Sequence, residues 1–207
     1  MSFRPAEYLR LRPFSYHVTA RENLLWLRRS RRLEPSAELL AAADRPDVLR
    51  ERRTDYVTVR GGEAEVVLKD QLPLIAANVE LTGGWTFADF VEHLNRHVFF
   101  WPGTEEGPIG TGRRLLRSYA DDSPAVIRVP TADLFTANES LEPLFCPFNS
   151  GAPRYHSGKP APRGPDLYAP AGQFPRRASE VVELVFSGSV MLPSTACIYD
   201  GTAWSPL

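Results

Sequence analysis

Tyr16-His17-Val18-Thr19, followed closely by Arg21-Glu22-Asn23-Leu24, gathers a phenol, an imidazole, a hydroxyl and a carboxamide in one short stretch. It reads as a strand running directly into a helix. Such a junction aims polar side chains and the helix's free N–H groups at one point, a natural place to hold a polar ligand. On a strand, His17 and Thr19 share one face and Tyr16 and Val18 the other. Two readings of the pair stand. Either both groups contact a ligand, or His17 is a core histidine bonded to a backbone carbonyl and Thr19 only caps the helix.

A second chemical group lies far along the chain, in Val181-Val182-Glu183-Leu184-Val185. A carboxylate flanked by β-branched residues in a central strand is costly unless it is hydrogen-bonded or functional. Glu183 is therefore the acid that most needs an explanation. Glu180 is an odd step away, so it faces the other side, near the strand start, where exposure would explain it. Phe99-Phe100-Trp101 supplies flat aromatic surface; strand aromatics are ordinarily core, yet one ring at the strand end could stack on a base or pyridine. Asp70-Gln71, before Leu72-Pro73-Leu74, could tie a loop to the site or simply end a strand with turn chemistry.

These groups need elements to hold them. Residues 1–13 read as a polar lead-in stopped by Pro13. Thr19 and Glu22 form a capping-box pattern for a helix reaching about Arg31, and Ser36 to Ala43 is a second short helix. Tyr56 to Arg60 and Glu65 to Lys69, around Gly61-Gly62, read as a hairpin. Thr86 opens a helix ending near Asn95, His97 to Trp101 is a buried strand, and a Gly-rich loop from Gly103 to Gly112 precedes a helix from Arg113 to Ala120. Ala125 to Val129 and Ser179 to Phe186 are further strands. The stretch 143–177 is rich in Pro, Gly and Arg without sustained periodicity; connections of that length are usually functional or mobile. Interleaved short strands and helices, without internal repeat, indicate one α+β domain over 1–207.

Composition narrows the function class. Of 207 residues, 43% are apolar and 24% charged, and the net charge is −1, so the chain as a whole is no polyelectrolyte. The first sixty residues carry thirteen Arg against eight acids. The densest run, Arg28-Arg29-Ser30-Arg31-Arg32, could meet phosphates or simply suit the C-terminal turn of a helix. Cys146 and Cys197 form neither a zinc motif nor a disulfide framework, so no metal site is expected. The N-terminus lacks the apolar core of a signal peptide, and no stretch approaches the roughly 18–20 apolar residues of a membrane span. The expected compartment is the cytoplasm.

Taken in order, Tyr16-His17-x-Thr19 with Asn23-Leu24, Asp70-Gln71, Leu94-Asn95 before Val98-Phe99-Phe100-Trp101, and Glu183-Leu184-Val185 resemble a bacterial domain family of unassigned function. That family in turn resembles the DarT-type DNA ADP-ribosyltransferases and, more distantly, the poly- and mono-ADP-ribosyltransferases. The resemblance spans about residues 14–193. It implies an ADP-ribosyltransferase-like split β-sheet core with short peripheral helices, and NAD⁺, as substrate, bound between two half-sheets. Tyr16, His17, Thr19, Asn23 and Phe100 would contact the dinucleotide, and Glu183 would be the catalytic acid that grips a ribose hydroxyl and orients or deprotonates the acceptor; Glu180 would replace it if the register moves by three. Segment 149–177 lies where such enzymes place a target-recognition loop. The implied reaction transfers ADP-ribose to a macromolecule, nucleic acid or protein, and releases nicotinamide. A catalytically inactive module binding NAD or nucleic acid is the alternative. One departure bears on this: the DarT-type enzymes carry an Arg just after the aromatic strand, where this chain has Pro102-Gly103-Thr104, and Arg113 or Arg114 is a poor substitute.

Overall fold

A computed structural model describes residues 3–61, 64–119, 124–155, 158–199 and 201–207. The chain opens with α1 (Pro5–Leu11), β1 (Phe14–Thr19), α2 (Leu24–Ser30) and β2 (Arg32–Leu33). Next come α3 (Ser36–Ala42), α4 (Pro46–Leu49), the hairpin β3 (Val57–Gly61) and β4 (Ala64–Leu68), and β5 (Val79–Leu81). The middle of the chain forms α5 (Phe87–Asn95), β6 (His97–Thr104), β7 (Gly107–Pro108), α6 (Gly110–Ser118), β8 (Ala125–Pro130) and α7 (Thr131–Ala137). Short strands follow: β9 (Leu144–Cys146), β10 (Ala161–Arg163) and β11 (Ala169–Pro170). The last are β12 (Glu183–Ser187), β13 (Val190–Met191), β14 (Cys197–Tyr199) and β15 (Trp204–Pro206). The class is α+β, built on one open antiparallel sheet.

Strand order in that sheet is β11-β9-β12-β6-β1-β8-β14-β15, with β7 on β6. The opening and closing strands of the sequence reading, β1 and β12, are thus separated only by β6. β1 pairs with β8 along its whole length, from Phe14 opposite Pro130 to Thr19 opposite Ala125. Against β6 it pairs over three residues only, Phe14–Tyr16 with Gly103–Trp101. Beyond Tyr16 the two strands part, while β6 continues beside β12 from Phe100 back to His97.

Alternation along the strands sorts the packing. Val98, Phe100, Ile127, Val129, Leu184 and Phe186 face the main core with Tyr8 of α1 and Leu134 of α7. On the other side, Phe90, Val91 and Leu94 of α5 pack with Cys146 and Leu167. The β3–β4 hairpin is seated on α3 and α4 through Leu39, Leu40, Val59, Val66 and Leu68. The helix at Thr86 forms as expected, because Thr86 and Asp89 cap each other reciprocally.

Five expectations change. The strand at His97 runs on through Thr104 and α6 begins at Gly110, with β7 between them, so the stretch 103–112 is not one loop. Residues 5–11 are a helix rather than a lead-in: Pro5 suits a first turn and Tyr8 is fully buried. Thr19 is not a helix cap, because a 3₁₀ turn at Arg21–Asn23 intervenes before α2 and makes no side-chain cap. The last central strand starts at Glu183, since Ala178–Glu180 forms a 3₁₀ turn whose Glu180 carboxylate accepts from Arg177 N at 3.1 Å. The 143–177 stretch is not one loop, for β9, β10 and β11 dock within it. Gly62 of the expected hairpin turn and Ala120 of the expected helix end lie outside the described residues. Arg31, in the basic run, adopts the left-handed conformation (φ 50°) and donates to the carbonyls of Leu192, Pro193 and Leu207. It is a structural staple. Cys146 and Cys197 are both free thiols. Among the described residues no helix is long and apolar enough to cross a membrane.

Candidate functional site

Where β1 leaves β6, a cleft of about 300 Å³ opens, at the lower end of the roughly 300–1,000 Å³ typical of ligand pockets. His17 and Glu183 both line it, with Thr19, Asn23, Phe99 and Trp101. The β3–β4 hairpin, α6 and the residues after β9 complete its walls. Gly112 lets α6 lie against Trp101: a Cβ there would fall 2.7 Å from two Trp101 carbons.

His17 spans the gap. Its Nδ1 lies 2.8 Å from the carbonyl oxygen of Phe99 on β6. A carbonyl only accepts, so Nδ1 carries the proton and Nε2 is left as an acceptor. Burial lowers the imidazole pKa below its usual value, opposed by the Phe99 bond. The ring is neutral at neutral pH and can accept from a ligand hydroxyl. His17 is bonded to a backbone carbonyl and also lines the cleft.

Glu183 is 3% exposed. Its Oε2 accepts from Ser150 N at 3.0 Å and from Ser150 Oγ at 2.7 Å. Among the described residues Oε1 makes no hydrogen bond. Burial pushes the carboxyl up to about 7, resisted by the two Ser150 bonds and the charge of Arg163. Arg163 is itself buried, with its guanidinium 4.1 Å from the centre of the Phe148 ring and Nη2 donating to Asn149 O at 3.2 Å. It thereby holds the Asn149-Ser150 backbone that presents donors to Glu183. The arrangement can therefore act as a proton acceptor near neutral pH. Glu180 sits on the preceding turn, about half exposed, and does not line the cleft.

Asn23 lines the cleft and its carboxamide also fastens the wall. Its Nδ2 donates to Thr19 Oγ1 at 2.9 Å and to Val67 O at 2.8 Å, while Oδ1 accepts from Val67 N at 2.7 Å. The carboxamide imitates one rung of a strand ladder and fastens β4 over the cleft. A second latch acts at the end of the hairpin. Buried Arg53 donates to Asn95 Oδ1 at 2.8 Å and to Lys69 O at 2.9 Å, and Gln71 Nε2 reaches the same Asn95 oxygen at 3.2 Å. Gln71 thus ties the loop to the cleft wall, whereas Asp70 accepts from Leu72 N in a local turn.

Phe100 does not line the cleft. It is fully buried in the main core, edge-on to Phe186 at 6.0 Å, behind the His17 ring. The two-residue period of β6 exposes Phe99 and Trp101 instead. Phe100→Ala is accordingly expected to cost about 3–5 kcal/mol of stability in urea denaturation; a cost below about 1 kcal/mol would contradict this placement. Tyr16 lines both the cleft and the hollow on its far side: its hydroxyl donates to Thr104 O and its ring meets Trp204 edge-on at 6.4 Å. Burial raises that phenol to about 12.

Ser150 and Arg163 were not singled out from sequence. A buried carboxylate demands donors, but nothing in the aperiodic 143–177 stretch says which residues supply them.

Fold and site together define an α+β protein with an open antiparallel sheet, parted at its middle around a cleft that holds a neutral imidazole and a buried acid. The chain belongs to the family of unknown function DUF7002, whose model matches residues 13–196. No curated protein and no solved structure matches it.

Proposed function

We propose that the protein is an NAD⁺-dependent ADP-ribosyltransferase of DarT-like kind, transferring ADP-ribose to a macromolecular acceptor, nucleic acid or protein. The observation that carries this reading is the meeting of His17 and Glu183 on one cleft, from strands far apart in sequence. The partial separation of β1 from β6 supports the split-sheet core that the resemblance implies.

Breaking the nicotinamide–ribose bond sends its electron pair to the nicotinamide nitrogen and leaves positive charge on the ribose, as in glycoside cleavage. Negative charge near that carbon and a fixed leaving group lower the barrier. Glu183 as carboxylate supplies the charge and takes the acceptor's proton as the new bond to ribose forms. His17 Nε2 accepts from a ribose hydroxyl, and Thr19 has an O–H to give. Phe99 or Trp101, rather than Phe100, offers the flat wall for the nicotinamide ring.

The test incubates the purified protein with labelled NAD⁺ and separated DNA, RNA and protein fractions. Nicotinamide release with label in one fraction is the expected result. The second reading, a binding module without turnover, is favoured by Pro102-Gly103-Thr104 where the resembled enzymes carry an Arg; saturable NAD⁺ binding without nicotinamide release would establish it.

A further inference from the structure

A second hollow, of about 490 Å³, lies beyond Tyr16, between α6 and the β14–β15 hairpin. One wall is aromatic. Trp204, an end-of-sheet residue, is 40% exposed, yet its ring is held in place: the Arg128 guanidinium lies 4.5 Å from its centre and the Tyr199 ring 5.4 Å away at 43°. The opposite wall is cationic. Arg113 and Arg117 project from successive turns of α6, both exposed; Arg113 Nε donates to Pro108 O at 3.3 Å and its charge acts on Glu106, and neither guanidinium forms an ion pair within 4 Å among the described residues. Glu106 shares the rim, with its carboxylate engaged by Thr104 Oγ1.

We infer that this groove is a ligand site separate from the cleft, taking a nucleoside monophosphate unit, with its base stacked on Trp204 and its phosphate between Arg113 and Arg117. A pre-oriented indole loses little rotamer freedom when a ring stacks on it, and base–aromatic stacking tolerates any base. An apolar ligand would leave the exposed Nη ends of both guanidiniums unmatched, and a bare anion would leave the indole unused; a planar ring carrying one phosphate uses both walls. Glu106 disfavours a denser polyanion on the same rim. The unit has two sources, a free nucleotide or one residue of a single-stranded nucleic acid. The inference does not depend on any reaction in the cleft.

The test titrates AMP and a roughly 12-nucleotide oligothymidylate into the full 207-residue chain, following tryptophan fluorescence and calorimetry. Saturable binding is expected, weakened about tenfold or more by Trp204→Ala and largely kept in Trp204→Phe. Oligothymidylate binding far tighter than AMP, with a salt slope reduced by about one in Arg117→Ala, identifies a strand as the source. Comparable affinity for AMP identifies a free nucleotide. Thermal melts of each variant establish that the fold is intact. Absence of binding by both probes, or binding unchanged in Trp204→Ala, overturns the inference, as does binding lost only with His17→Ala in the cleft.

Discussion

Glu183→Gln is expected to lose NAD⁺ turnover by about a thousandfold while making the protein more stable at neutral and alkaline pH. The first effect follows if the carboxylate is the charge and the base of the reaction, since general bases and electrostatic stabilisers each contribute about 10²–10⁴. The second follows from burial alone. With a carboxyl pKa of about 7 folded against 4.5 when free, the native state binds more protons than the unfolded chain. Stability therefore falls as pH rises between those values, by about 3 kcal/mol in all. A neutral amide escapes this penalty and its oxygen can still accept both Ser150 bonds. The variant should match the parent near pH 4 and exceed it above pH 7, by roughly 5–10 °C in melting temperature. In the parent, turnover should rise with pH through about 7 and then level off, as Glu183 loses its proton. Nicotinamide release and melting curves over the pH series read both effects. Unchanged turnover would remove Glu183 from the chemistry, and a stability difference independent of pH would remove the buried acid.

Asn23→Ala should be the most disruptive polar substitution near the cleft, at about 2–4 kcal/mol. It strips both backbone groups of Val67 of their partner and leaves Thr19 Oγ1 without a donor. Leaving buried polar groups unmatched costs about 1–3 kcal/mol each, and part of that is recovered as β4 lifts toward water. Urea denaturation reads the total, and hydrogen exchange at the Val67 amide reads the local loosening. If that amide stays as protected as in the parent, Asn23 is not what holds the hairpin.

Much of the scaffold could be read from local chemistry. The capping pair at Thr86 and Asp89 and the apolar run at Val98–Phe100 are decided within a few residues, and α5 and β6 formed there. Glu183 stood out because its neighbours made its burial costly. The errors came where distant contacts decide. Phe100 and its neighbours Phe99 and Trp101 are chemically alike, and only the phase of β6 against β12 sets which rings enter the cleft. That Asn23 also fastens the hairpin is not legible locally, because its partner, Val67, lies 44 residues away. Thr19 lost its capping role to a 3₁₀ turn, and Ser150 is tied to Glu183 by proximity that no periodicity encodes.

The short pairing between β1 and β6 has a last consequence. Past Tyr16, each strand is bonded to a neighbour on its outer side only. On the inner edges the Phe99 carbonyl is taken by the His17 ring, and the remaining main-chain groups have no strand partner across the opening. A guest lodged there can be read by peptide groups, which no point mutation replaces, so its recognition should survive considerable drift in the side chains around it.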